Sequence, residues 1–163
     1  MTPLSPTQLE FRSAMAKLPA AVNVVTTNGT HGRVGITVSA VCSVTDEPPS
    51  VIICLNKSSY THDIFEANGR VCINVLSADD EELALHFAGV TEVPMDARFG
   101  WDRWDHHSED VPVLRQSLVS LVGHIVQQSD CGSHSVWLVR ISRVLQRGET
   151  EALVYFQRRF HRV

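Results

Sequence analysis

Short runs of β-branched and apolar residues follow one another along most of the chain, and turn-forming residues separate them. Runs of this kind, bounded by Gly, Pro, Asn or Asp, are typical of β-strands. The pattern predicts strands over residues 21–27, 33–45, 50–55, 71–76, 117–128, 134–146 and 152–156. Because these runs do not alternate with long helices, the sequence favours a mainly β fold, an antiparallel barrel or sandwich, over a parallel α/β sheet.

Two or three short helices are predicted between the strands. The first begins at Pro6 behind a capping Ser5, the second covers 61–67, and the third follows Ser77 to about Phe87. Three apolar residues of the first helix are expected to face inward: Leu9, Met15 and Leu18.

Residues 89–110 show no clear hydrophobic period, and the sequence predicts a long loop there. A loop of about 20 residues is unusual inside a compact domain and is more often functional.

Size and charge exclude several classes of protein. The 163 residues fit a single domain over 1–163, and the net charge of -4 argues against nucleic-acid or anionic membrane partners. No apolar run approaches the roughly 18 residues of a membrane span, and the N-terminus lacks the pattern of a signal peptide. We therefore expect a cytoplasmic protein. Three cysteines lie inside apolar runs and are expected to be buried thiols: Cys42, Cys54 and Cys72.

Residues 35–45 alternate between two kinds of side chain. If they form one strand, one face is apolar and consists of Ile36, Val38, Ala40, Cys42 and Val44. The other face is rich in hydroxyl groups and consists of Thr37, Ser39, Val41, Ser43 and Thr45. Small hydroxyl residues let a flat ring approach the backbone, but they are also common on solvent-facing strands, which the pattern alone favours.

Two further stretches are chemically suggestive. In residues 54–61 a strand ends in a polar turn, with one lysine and several hydroxyl groups before a helix start, which suits either a phosphate or an ordinary capped turn. His134 opens a strand, and residues 155–161 combine arginines with aromatic side chains that are able to hold a pyrophosphate or stack on a ring. From the residues alone, a surface histidine and a solvated basic tail are the favoured explanations of His134 and residues 155–161.

Several common sites are not indicated. The chain has no GxGxxG, GxxxxGK[ST] or GxSxG motif, so neither a Rossmann or P-loop nucleotide site nor a hydrolase elbow is predicted. The metal-capable residues His106, His107, Cys131 and His134 show no zinc-like spacing, and no metal site is predicted.

Taken in order, the sequence resembles the short-chain flavin reductases along nearly its whole length. The matching segments are 11–15 (FRSAM), 20–27 (AAVNVVTT), 35–46 (GITVSAVCSVTD), Pro48-Pro49, 54–56 (CLN), 72–76 (CINVL), His86-Phe87, 132–134 (GSH) and 155–161 (YFQRRFH). Residues 96–110 do not align with the family pattern.

This resemblance implies an antiparallel FMN-binding split β-barrel of Greek-key type, usually a homodimer. It implies reduction of FMN or FAD by NADH or NADPH, and supply of the reduced flavin to the oxygenase component of a two-component monooxygenase, an aromatic hydroxylase. Because the cofactors carry hydride chemistry, no catalytic residue is predicted. The alternative is a non-enzymatic FMN-binding split-barrel protein.

The resemblance also implies which residues bind cofactors. Flavin contacts are expected from Arg33, Val34, Gly35, Ile36, Thr37, Ser39, Ala40, Cys54, Leu55, Asn56, Tyr60, Thr61, His86 and Phe87. Around the flavin phosphate, Ser58, Ser59 and Thr61 are expected, with Lys57 nearby. Nicotinamide-nucleotide contacts are expected from His134, Tyr155, Phe156, Gln157 and Arg158.

Overall fold

The computed structural model describes residues 3–106, 110–148 and 150–163. The described helices are α1 Pro6–Met15, α2 His62–Asn68, α3 Glu81–Phe87 and α4 Met95–Phe99, with a 3-10 turn at Ala78–Asp80. The described strands are β1 Ala20–Ala21, β2 Asn23–Thr27, β3 Val34–Val38, β4 Val41–Asp46, β5 Pro49–Asn56, β6 Arg70–Val75, β7 Trp104–Asp105, β8 Val113–Leu114, β9 Val119–Cys131, β10 His134–Gln146, β11 Leu153–Phe156 and β12 Arg159–Arg162.

An antiparallel seven-stranded sheet in the order β3-β2-β6-β9-β10-β5-β4 forms the barrel of the described chain. Its edge strands, β3 and β4, are consecutive in sequence, so the sheet must curl to bring its edges together. The backbone N–H of Cys54 donates to the carbonyl of Ala40 at 3.1 Å where they meet. Strands β1, β11 and β12 form a second, three-stranded sheet.

Two of the three core clusters among the described residues lie on opposite faces of β2. Val25 faces the barrel interior, where Phe65, Ile73 and Trp137 are fully buried. Val24, the next residue along the strand, faces a second cluster beneath α3 and α4. Because β2 is buried on both faces, its sequence lacks the alternation of apolar and polar residues that is typical of a half-exposed strand.

The prediction of one strand over 33–45 is wrong. The chain bends at Ser39 and Ala40, where the N–H of Val41 donates to the carbonyl of Ser39 at 3.0 Å, and β3 and β4 lie at opposite sheet edges. The bend also changes which side chains face inward, because Val41 packs against the core while Val44 is 52% exposed. The predicted apolar face therefore does not continue beyond Val38: Ala40 and Cys42 are exposed.

Helix α1 begins as predicted, with Ser5 and Gln8 forming a capping box. The prediction that its apolar residues face inward is wrong, because Leu9, Met15 and Leu18 are 55%, 42% and 59% exposed. The helix lies on the surface, where the carbonyl of Ala16 accepts from the N–H of Gln157 at 2.7 Å.

The segment predicted as a long loop is partly regular. It contains α4 and β7, which contribute the buried Phe99 and Trp104 to the second core cluster, and residues 107–109 of it lie outside the described chain. The described residues thus form four α-helices, where two or three were expected. None of the described helices has the length and apolar character needed to cross a membrane.

Candidate functional site

Three adjoining clefts form one groove beside β3. The first, about 390 Å³, lies between β3, the turn at 58–61 and the α3–α4 region. The second, about 560 Å³, lies between β3, α3 and the β11–β12 hairpin, and the third, about 600 Å³, lies between α1 and that hairpin. Ala88 lines the first two clefts, while Ser39, Tyr155 and Arg158 line the second and third. The groove is therefore continuous.

Strand β3 runs along the whole groove. Gly35 and Ile36 line the first cleft, Thr37 the second, and Ser39 the second and third. The Thr37 hydroxyl donates to the carbonyl of Ala84 at 2.7 Å and so joins β3 to α3. With its proton used in this way, Thr37 offers a ligand only acceptor capacity.

Gly35 allows β3 and α3 to pack closely. A Cβ at this position would lie 2.7 Å from Cε1 of Phe87 and 3.3 Å from Cζ of Phe99. The space that a side chain at position 35 would occupy is therefore filled by the ring of Phe87. The neighbouring Arg33 lies over the Phe99 ring, 5.1 Å from its centroid.

The turn at 58–61 is held in place by Asn56. Its Oδ1 accepts from both the N–H and the hydroxyl of Ser58 at 2.9 Å. The hydroxyls of Ser59 and Thr61 form one hydrogen bond of 2.8 Å, and all four residues of the turn line the first cleft. Lys57 is directed elsewhere, since its Nζ lies 3.3 Å from Asp130.

Arg98 is a site residue that the sequence interpretation missed. It lies in α4, is only 8% exposed and lines the first cleft opposite the hydroxyl turn. A proline at position 94 followed by Asp96 is a recognisable signal for the start of a short helix. Nothing in the sequence pattern indicates that this helix carries Arg98 to the groove.

The β11–β12 hairpin closes the far end of the groove. Its turn residues Gln157 and Arg158 have φ values of 49° and 61°, a left-handed conformation that non-glycine residues seldom adopt twice in succession. Tyr155 packs edge-on against Phe160, with ring centroids 5.3 Å apart. The hairpin thus presents an aromatic ring and a guanidinium together to the groove.

The sequence profile of the flavin reductase-like domain matches residues 15–163. The chain belongs to the flavin reductase-like family. It is 49% identical over 163 residues to the 4-hydroxyphenylacetate 3-monooxygenase reductase component of Pseudomonas aeruginosa, covering 100% of this chain and 96% of that one. It is 44% identical over 154 residues to an FMN reductase (NADH) of Variovorax paradoxus, covering 94% of this chain and 84% of that one.

Structural similarity agrees with this assignment. The structure of an NADH:FAD oxidoreductase from Streptomyces globisporus superposes with a TM-score of 0.86 at 25% identity, covering 100% of this chain and 92% of that chain. The predicted split-barrel fold is confirmed by structures of this kind, and the family assignment identifies the chain as an oxidoreductase that reduces flavin.

In this flavin reductase-like domain, the predicted cofactor residues fall into two groups. Those that line the groove are Gly35, Ile36, Thr37, Ser39, Ala40, Ser58, Ser59, Tyr60, Thr61, Phe87, Tyr155 and Arg158. The others support or flank it, and they are Arg33, Val34, Cys54, Leu55, Asn56, Lys57, His86, His134, Phe156 and Gln157.

Two of the flanking histidines have partners of their own. His86 shares a 2.6 Å hydrogen bond with Thr91 and lies against the ring of Trp101. His134 shares a 2.9 Å hydrogen bond with Ser133 and is the strand partner of Asn56. Tyr155 and Arg158 line the second and third clefts, whereas His134 is not among the residues that line the groove, so the predicted nicotinamide contacts do not all belong to the groove lining.

The nucleophilic side chains near the groove are poorly suited to covalent chemistry. Burial raises the pKa of the Cys54 thiol, and the neighbouring Cys131 raises it further, so Cys54 stays protonated at neutral pH. Ser135 is 2.9 Å from Nε2 of His62 but has no exposed surface, and its hydroxyl donates to Asp130. The arrangement fits an enzyme in which bound cofactors carry the reaction.

Proposed function

We propose that this protein transfers hydride from NADH to FMN or FAD and releases the reduced flavin to the oxygenase component of a two-component monooxygenase. The observation that carries the proposal is the continuous groove. At one end it offers a buried arginine and a turn of hydroxyl groups, and at the other it offers Tyr155 and Arg158. Two cofactors with anionic phosphate groups have complementary partners at its two ends.

Bound flavin would supply the hydride acceptor, and the protein's part is to position the two cofactors and exclude water. The hydrogen bond from Thr37 to the carbonyl of Ala84 holds β3 against α3, so β3 forms a rigid side of the groove. Leu85, Val90 and Phe160 are apolar side chains that line the second cleft, and they would limit the access of water to rings bound there. In this arrangement no protein group has to give or take a proton from a reacting carbon.

NADH is the proposed donor, since a relative at 44% identity is an FMN reductase (NADH). We propose that the oxygenase partner hydroxylates 4-hydroxyphenylacetate or a similar aromatic compound. The reason is that a relative at 49% identity over the whole chain is the reductase component of a 4-hydroxyphenylacetate 3-monooxygenase. An open groove on the surface suits release of a diffusible product. We propose a cytoplasmic location and a single domain over 1–163.

A homodimer is also proposed. The outer face of the barrel exposes Val44, Val126 and Val144 at 46–52% of their surface. A shallow cleft of about 200 Å³ on the same face is lined partly by Ile52 and Leu138. A second copy of the chain covering these apolar side chains would remove them from water.

Arg158→Gly is expected to separate stability from function. Glycine adopts the left-handed backbone conformation at this position without the strain that arginine has there, so the free energy of unfolding should rise by about 1 kcal/mol. The Michaelis constant for NADH should rise about tenfold, because a charge-assisted contact in the groove is lost. Arg158→Lys keeps the charge and the left-handed turn. It should leave the free energy of unfolding unchanged and raise the Michaelis constant for NADH less than Arg158→Gly does. A stability gain with an unchanged Michaelis constant would show that Arg158 does not bind the dinucleotide.

Steady-state assays with purified protein test the proposed reaction. NADH consumption should require added FMN or FAD, and it should be faster with NADH than with NADPH. If NADH is consumed at the same rate without flavin, flavin reduction is not the reaction. If flavin binds but NADH is not consumed, the alternative of a non-enzymatic flavin-binding protein is correct.

A further inference from the structure

Four carboxylates follow one another at the start of α3, and three of them have partners within the chain. The partners are two arginines and a histidine: Asp79 with Arg162 at 3.0 Å, Asp80 with Arg103, and Glu82 with His86 at 3.8 Å. Glu81 differs from these three. It is the first residue of α3, it is exposed, and it lines the second cleft. Among the described residues its carboxylate has neither an ion-pair nor a hydrogen-bond partner, so it is free to bind a ligand in the cleft.

The second cleft also carries two arginines that the chain leaves unpaired. Arg158 and Arg159 line it from the β11–β12 hairpin, and within the part of the chain that the structure describes neither forms an ion pair with Glu81 or with another carboxylate. Of the residues described as lining the three clefts, Glu81 is the one acid. A few polar groups of this kind in a mainly apolar cleft fix the orientation of a bound ligand.

The charged side chains of the second cleft suit different parts of a nicotinamide dinucleotide. Guanidinium groups pair with phosphate oxygens. A carboxylate only accepts hydrogen bonds, so it suits the hydroxyl groups of a ribose and repels a phosphate group. NADPH differs from NADH by a phosphate on the 2′-hydroxyl of the adenosine ribose. In unrelated dinucleotide-binding folds, an acidic residue at this hydroxyl favours NAD, and an arginine accommodates NADP.

We infer that Glu81 binds the adenosine ribose of the dinucleotide and makes the protein select NADH over NADPH. The inference rests on the proposed function, because it requires NADH to lie in the second cleft. It adds a specificity-determining residue in α3, at a position that neither the motifs nor the family resemblance indicated. Arg158 and Arg159 attract the phosphates that both dinucleotides share, and Glu81 opposes the one phosphate in which they differ.

Glu81→Gln removes the charge and keeps the size of the side chain, and Glu81→Arg reverses the charge. Because Glu81 is exposed, both variants should fold. Steady-state kinetics at saturating FMN should compare NADH with NADPH. The preference for NADH in kcat/KM should fall about tenfold in Glu81→Gln, mainly through a lower KM for NADPH, and further in Glu81→Arg. With either donor, kcat should change about twofold at most, since the contact acts on binding.

Glu82→Gln is the matched control, because it removes the same charge one residue further along α3. Glu82 is exposed, is not among the residues that line the clefts, and lies beside His86 instead. Because exposed charges away from the ligand are screened by salt, its preference for NADH should stay within about twofold of the wild-type value.

Two nucleotides without a nicotinamide locate the contact on the adenosine ribose. Adenosine 5′-monophosphate has a free 2′-hydroxyl, and adenosine 2′,5′-bisphosphate has a phosphate in its place. As competitive inhibitors against NADH, the monophosphate should bind the wild-type protein more tightly than the bisphosphate. In Glu81→Gln this order should disappear or reverse.

The possible results distinguish the two proposals. Equal changes of preference in Glu81→Gln and Glu82→Gln would reflect net charge alone and overturn the inference. An equal rise of KM for both donors in Glu81→Gln would place the carboxylate on a part that NADH and NADPH share, and would overturn it as well. So would a wild-type protein that uses both donors equally, although flavin reduction would then stand. Absence of flavin-dependent oxidation of either donor would instead contradict the proposed function.

Discussion

Replacing Trp137 with alanine is expected to lower the free energy of unfolding by about 3–5 kcal/mol. The indole is fully buried in the barrel, its Nε1 donates to Oε1 of Gln128 at 2.6 Å, and its ring lies 5.1 Å from His62 and 6.2 Å from Phe65. Because a domain is stable by only about 5–15 kcal/mol, the loss removes a large share of the total. Denaturant unfolding followed by circular dichroism measures it.

The Trp137→Ala variant should also bind flavin less tightly. His62 and Phe65 belong to α2, the helix that directly follows the hydroxyl turn of the first cleft, so a cavity beneath α2 loosens that turn. Trp137→Phe keeps most of the ring packing and should lose roughly half as much stability. If both variants lose less than about 1 kcal/mol, Trp137 does not hold α2 on the barrel as the structure indicates.

Gly35→Ala should reduce both stability and flavin affinity. The new Cβ would lie 2.7 Å from the buried Phe87 ring, which cannot move freely because it also packs against Phe99 and Trp104. Overpacking of this kind costs about 1–3 kcal/mol. Displacement of Phe87 disturbs the first cleft directly, since Phe87 lines it and supports the guanidinium of Arg98.

Gly148→Ala is the matched control for this substitution. A Cβ at Gly148 meets no atom of the described residues within 4 Å, and the backbone there is not left-handed, so neither stability nor flavin affinity should change measurably. Thermal unfolding and an FMN titration on both variants provide the comparison. Equal behaviour of the two alanine variants would mean that β3 can move away from α3 at little cost.

Hydrophobic pattern and turn residues were sufficient to predict most strands. The predicted strand over 134–146 coincides with β10, and the predicted helix over 61–67 is displaced by one residue from α2, where Gly69 adopts a φ of 68°. These elements are bounded by residues whose local chemistry specifies an end, so little tertiary information is needed.

The errors occurred where tertiary contacts decide the structure. The bend at Ser39 and Ala40 contains neither glycine nor proline, and it forms because the barrel closes there against Cys54. The β11–β12 turn uses Gln157 and Arg158 in place of the usual Asn-Gly, so the last strand had no local signal. Arg98 reaches the groove only through the packing of α4 on Phe87, which no sequence pattern reports.

The candidate site was predictable only in part for the same reason. The hydroxyl turn at 58–61 and residues at the start of the segment 35–45 line the groove, but the residue pattern alone favoured a solvent-facing strand, and only the family resemblance placed flavin contacts there. The roles assigned to all of these residues stay predictions, and His86 and His134 are hydrogen-bonded to neighbours outside the groove lining.

An anaerobic titration of the FMN-loaded protein with NADH distinguishes hydride transfer in this groove from flavin binding alone. We expect stoichiometric loss of the visible absorbance of oxidised flavin as NADH is added, and its return when air is admitted. A flavin spectrum that stays oxidised in the presence of excess NADH would show that the protein binds flavin without reducing it.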